Sequence, residues 1–459
     1  MEIHQTKQEF FAKQLAEFVV GLRFEDLSTE VIEQAKMAVL DQLGCQLIGS
    51  TLEWNKIAYR YIRDLEGKAE STIVNYGTKT PTHDAAYVLG TFGQGAELDD
   101  YGAGIGAHSG ALCVPVALAL GEKNRIGGRE FLTGIVIGYE VAWGLGQLMH
   151  VGLGARGFHP QSIIGIFIAT AVAGRLLKLN SKELCHAFGI AGSHACGTME
   201  YDQSGGEVKR LHTGIAVRNG IQSAVLASYG LTGPPTIFEG KRGILRLFAN
   251  ENNPESMTLQ LSSGQGIMHN CIKQYPTNAS QQAPINGLAS LIEEHRFSAE
   301  DVERIDVGLN KTVAMHCGSV YEPQEVIQAQ FSLAYSLAIR LIKGSNDLSL
   351  YMDRELWRDP QVMELAHKIY FYPVPEIKDE QKHGCRIRIT VARGKTLEAN
   401  LEYPKGSFKN PLSKEELRSK FRNLAASVLP ADRIEKVIGT VERMEQIRDV
   451  SELVSLLVK

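Results

Sequence analysis

The sequence predicts a mainly α protein: a large all-helical domain formed by both chain ends, interrupted by a smaller α+β lid domain. Three observations carry this. Apolar residues three and four apart recur over most of the first 265 positions. Alternating, strand-like segments occur only in the stretch 304–404. Helical spacing then returns after a Pro-containing break at 405–416. At 459 residues the chain exceeds one ordinary hydrophobic core. The division read from this is 1–265 for the first part of the helical domain, 266–404 for the lid and 405–459 for the return.

Taken in order, KQEFFAKQLAEFVVGL and STEVIEQAKMAVLDQLGCQLIGS read as helices, the second started by Ser28 and Glu30. From 84 to 250 the helices are rich in Gly and Ala, as in PQSIIGIFIATAVAGRLLKL, and small residues let helix axes approach closely. In the lid, RIDVGLNKTV (304–313) alternates like a strand, QAQFSLAYSLAIRLIKG reads as one amphipathic helix, and 383–404 reads as a hairpin turning near Arg393-Gly394. Ser413-x-x-Glu416 marks the start of the last helical run.

Composition excludes several classes. A net charge of −4 gives no footprint for nucleic acid or an anionic membrane. Seven cysteines are scattered without a CxxC pair, a reducing-compartment pattern. The N-terminal residues have no apolar core of signal-peptide type, and the greasiest stretch, 132–154, contains Glu140, His150 and six glycines, unlike a membrane helix. A cytoplasmic protein is expected.

The chemistry concentrates in four places. AELDDYGAGIGAHSG (96–110) crowds acids ahead of Gly102, Gly104 and Gly106, then ends at His108. Its formal G-x-G pattern lacks the buried strand that a dinucleotide fingerprint needs, and the acids would repel a pyrophosphate. GFHPQS puts His159 at a helix start marked by Pro160, where free N–H groups favour an anion. GGEVKRLHTG sets Lys209 and His212 three apart, on one helix face. IKQYPTN adds Lys273. CHAFGIAGSHAC has no zinc-site spacing and suits helix packing, so neither metal nor cofactor is expected. Acids, a tyrosine, three histidines and two lysines suit proton abstraction beside a carboxylate, with cations stabilising an enolate-like intermediate.

ELDDY…H (97–108), RGFHPQS (156–162), VKRLHTGIAVRNG (208–220), IKQYP (272–276), HCG (316–318) and KGSFKNPLSKEEL (405–417) resemble, in order, the MmgE/PrpD family. The resemblance implies a cofactor-free enzyme, a homodimer, and a small di- or tricarboxylic acid as substrate. It implies that Asp99, Asp100, Tyr101 and His108 line one wall of the site, His159 a second, and Lys209 with His212 a third. Lys273 would close from the lid, with Tyr275, Asn278, Gln282 and His316 as further substrate-binding positions. Family members commonly carry a histidine after the lid KxYP, whereas this chain has Asn278 and Gln282, amides that cannot exchange protons near neutral pH. Among the activities implied, dehydration of a 2-methylcitrate-like hydroxy acid stands first and decarboxylation of cis-aconitate second. Epimerisation of an amino-dicarboxylate such as iminodisuccinate is third, and a binding protein on the same scaffold fourth.

Overall fold

The computed structural model describes residues 10–311, 313–314, 320–377 and 383–459. Helices dominate and the sheets are small. Ser28 starts the Thr29–Gly49 helix by accepting the Val31 N–H (3.3 Å). Ser413 and Glu416 exchange hydrogen bonds at the start of Lys414–Ala425 (2.7 and 3.2 Å). Pro160 opens the Pro160–Leu176 helix, with His159 just ahead of it.

Two hydrophobic cores hold most of the buried apolar side chains. The first joins residues from Phe11 to Ile272 with Leu412 to Leu457, and the second runs from Ala283 to Leu397. In the first, the Lys209–Ser228 helix packs tightly on Thr82–Gln94 and Pro160–Leu176. A Cβ on Gly214 would stand 2.6 Å from the Tyr87 carbonyl oxygen, so only glycine allows that crossing. The crossing brings Lys209 and His212 to the end of the Thr82–Gln94 helix, where the acidic run begins.

The greasy stretch lies in the helix Gly128–Ala155. It is long and apolar enough to cross a membrane, but 94% of its most apolar window is buried inside the protein. Its Glu140 accepts from the Gly266 N–H (2.7 Å) and the Ser262 hydroxyl (2.9 Å).

Around the second core, a four-stranded sheet has the spatial order Ile369–Pro373, Val302–Leu309, Cys385–Val391, Lys395–Leu401. The first pair is parallel and the others antiparallel, with Ile305 opposite both Ile369 and Ile389. The hairpin turns through Arg393 and Gly394, both in the left-handed region. Two boundaries differ from the sequence reading. The strand near 304 runs Val302–Leu309 rather than to 313. The single helix expected at 328–344 is two, Val326–Phe331 and Leu333–Lys343, because the Ser332 side chain accepts the Tyr335 N–H (3.1 Å) and caps a fresh helix start.

Candidate active site

The acidic run leaves the Thr82–Gln94 helix and enters a two-residue strand, Tyr101–Gly102, paired antiparallel with Asn270–Cys271. That pairing draws Lys273, two residues past Cys271, alongside Asp99. Glu97 adopts φ +57°, a conformation unfavourable for a residue with a Cβ, so its surroundings must impose it. They do so at several points. Gln330 donates to the Ala96 carbonyl oxygen (3.0 Å), Arg210 donates to Gly95 O (3.0 Å) and Gln330 Oε1 (2.9 Å), and Lys273 donates to Glu97 O (3.2 Å).

Here charges are buried and paired. Lys209 Nζ binds Glu97 Oε1; Lys273 Nζ stands 3.5 Å from Glu97 Oε2 and 3.5 Å from Asp99 Oδ1. Glu97, Asp99 and Lys273 are essentially inaccessible to solvent. Ions so buried persist only when compensated. Burial pushes Glu97 up, but Lys209 and Lys273 outweigh it and hold the carboxyl below its usual range. Burial is likewise outweighed at Asp99, by His108 and Lys273, leaving its carboxyl far below the usual range. For Lys273 the two carboxylates overcome burial and raise the ammonium pKa; for Lys209 burial prevails and lowers it. Lys209 also lies over the Phe331 ring, 4.9 Å from its centroid.

Gly104 and Gly106 both take positive φ, and Gly102 N–H reaches Ala107 O (2.9 Å), so the chain folds back and presents His108. His108 Nδ1 lies 2.9 Å from Asp99 Oδ2. The ion pair holds the imidazole beside the carboxylate. Gln161 anchors the backbone there: it accepts from His108 N–H (2.7 Å) and donates to His108 O (3.3 Å) and Thr213 Oγ1 (3.1 Å). One amide thus ties the glycine loop to the helices carrying His159 and His212.

His159 makes no side-chain cap bond to its own helix. Its ring turns to His212, with the two Nδ1 atoms 2.9 Å apart, and Tyr201 stands edge-on to both rings. Burial, then the nearby Lys209, pushes His212 down to about 4 and His159 well below the ordinary histidine range.

The structure therefore brings together Asp99, His108, His159, Lys209, His212 and Lys273. Other expected site residues point elsewhere or make local bonds. Asp100 turns into the body, accepting from the Tyr139 hydroxyl and the Gly110 N–H (3.0 Å), and burial pushes it up to about 6. Tyr101 meets the Cys271 thiol, and its ring packs edge-on to His383 (5.1 Å). The Tyr275 hydroxyl accepts from Asn286 (3.1 Å) beside a separate cavity that Arg340 and Lys405 also line. Asn278 caps the following turn through Ser280 N–H (2.9 Å). Gln282 spends its amide on its own loop, at Gln274 N, Tyr275 N, Tyr275 O and Thr277 Oγ1. His316 lies outside the described residues. Sequence reasoning missed Glu97, Gln161, Gln330 and His383. Only Glu97 carried a signal, as the first acid of ELDD. Among the described residues no group of three His, Cys, Asp or Glu side chains is disposed to hold a metal ion.

Comparison with known proteins agrees along almost the whole chain. The MmgE/PrpD N-terminal domain model matches residues 13–257 and the MmgE/PrpD C-terminal domain model residues 275–446. Similar proteins include the cis-aconitate decarboxylase-like protein oryM of Aspergillus oryzae, 30% identical over 97% of this chain and 96% of that protein. Cis-aconitate decarboxylase of Aspergillus terreus is 27% identical over 97% and 95%, and that of Homo sapiens 28% over 95% and 92%.

Proposed function

The chain belongs to the MmgE/PrpD family, and on that premise we propose that it is a cofactor-free carboxy-lyase acting on cis-aconitate or a closely similar unsaturated tricarboxylate. One observation carries the reading: Lys209 and Lys273 are close enough to share a single carboxylate, that of Glu97, beside two proton-carrying histidine sites. The names of the relatives support decarboxylation over the dehydration that the sequence alone favours.

The chemistry asks for what these residues can supply. When a carboxymethyl group loses CO2, its bonding pair forms a new C=C. The original double-bond pair moves to the carbon beside a second carboxylate, giving an enolate-like carbanion. The two ammonium groups stabilise that charge, and a histidine delivers one proton to carbon. His108, held beside Asp99, stands next to the lysines in position to orient a substrate carboxylate.

The test offers purified protein cis-aconitate, a hydroxy tricarboxylate and an amino-dicarboxylate in deuterated water. The expected result is CO2 release from cis-aconitate, with deuterium in the product. His108→Gln should lower kcat by roughly a hundredfold or more while substrate still binds. Dehydration of the hydroxy acid without CO2 release from cis-aconitate would reject the proposal.

A further inference from the structure

The reading above does not say how the His159–His212 contact holds and releases its proton. We infer that the two rings act as one acid holding at most a single extra proton, loaded when a substrate carboxylate binds beside Lys209 and discharged to the carbanion. This rests on the tricarboxylate reading. In it His212 is a positioning residue that acts through His159.

Geometry sets the proton count. With Nδ1 facing Nδ1 at 2.9 Å, one ring must donate its N–H and the other must offer a lone pair. An added proton on the donor ring makes a charge-assisted bond; a second would set two N–H groups and two positive charges against each other. The pair therefore accepts one proton and no more.

The surroundings set when it is taken up. The Lys209 ammonium acts electrostatically on both rings, from the helix that also carries His212. His108 and Asp99 of the acidic loop act on His159, and Tyr201 stands 5.5 and 5.9 Å from the two rings. Without substrate, burial and the Lys209 ammonium keep both imidazoles neutral at pH 7. A bound carboxylate offsets that ammonium and adds negative charge, so proton affinity rises with occupancy. The demand matches the supply. A tricarboxylate trianion yields a dicarboxylate dianion and CO2, and consumes one proton at carbon. The dyad gives up that proton, returns to neutral, and is reloaded from water when the next substrate binds.

Calorimetric binding of tricarballylate, a saturated tricarboxylate with no double bond to shift, should be measured at pH 7.5 in two buffers of different ionisation enthalpy. Wild-type protein should take up about one proton per site. His108→Gln should keep that uptake. His212→Asn should bind but take up less than half as much, with kcat on cis-aconitate reduced roughly tenfold or more. Binding without uptake in the wild type overturns the inference and leaves the decarboxylase reading standing, as does undiminished uptake in His212→Asn. No binding of tricarballylate removes the tricarboxylate reading and the inference with it. Should His212→Asn fail to fold, the wild-type uptake still decides.

Discussion

With Lys273 replaced by methionine, Glu97 and Asp99 would lose the ammonium that now stands 3.5 Å from each. Removing one partner from a buried pair leaves the other's charge uncompensated, at a cost of roughly 3–5 kcal/mol. Lys273→Met should therefore lower stability by an amount of that order as well as abolish activity. Glu97→Gln should cost less in that background than in the wild type, because the carboxylate it removes then faces one ammonium, Lys209, instead of two. Urea unfolding of the two single variants and the double variant measures the coupling directly. Additive losses would mean that Glu97 and Lys273 do not act as a pair. Nothing in ELDDY distinguishes Glu97 as the acid that takes both lysines. That follows from its positive φ, which Gln330, Arg210 and Lys273 enforce from distant parts of the chain.

The glycine loop is the element that converts an acidic run into a site, and its glycines are not equivalent. Gly104 has φ +72° and open space where a Cβ would go; Gly106 has φ +67° and would place a Cβ 3.1 Å from the Pro160 side chain. Alanine at either position meets the left-handed penalty of about 1–2 kcal/mol. Only at 106 must the loop also move away from the start of the His159 helix, two residues before His108. Gly104→Ala should thus cost about 1 kcal/mol of stability with kcat nearly unchanged, whereas Gly106→Ala should lower kcat as well. Equal kcat in the two variants would count against this role for the loop. At this scale much was legible. The Ser28 and Ser413 caps, Pro160 and the Arg393-Gly394 turn are local chemistry, and local chemistry is written in neighbouring residues. Directions of side chains were not. His159 reads as an anion-holding helix start, yet its ring turns to His212, which lies 53 positions away. Gln282 reads as a substrate ligand, yet its amide is consumed by backbone groups of its own loop, which no spacing rule reveals.

Across the whole molecule, buried titratable groups with opposite preferences share one pH window. His212 binds its proton at about 4 in the fold, against 6.5 for a free histidine. Between those values the unfolded chain holds more protons than the native one, so this residue makes stability rise with pH, by up to about 1.4 kcal/mol per pH unit, and His159, held well below the ordinary histidine range, adds with the same sign. Asp100 and Glu140, each raised by burial to about 6, have the opposite sign: across pH 4–6 the native chain holds more protons, and their contribution falls as pH rises. Glu97 and Asp99, held below the usual carboxylate range, stay ionised through this window and add a loss only in stronger acid. The native stability curve should consequently be shallow between pH 4.5 and 6, the two sets offsetting each other. His212→Asn removes one member of the first set and leaves Asp100 and Glu140 in place. Relative to wild type, the variant should therefore gain stability on acidification, by on the order of 1 kcal/mol per pH unit across that window. Urea midpoints for both proteins at pH 4.5, 5.25 and 6 provide the comparison. A stability difference that stays constant with pH would show that His212 is not held neutral in the fold.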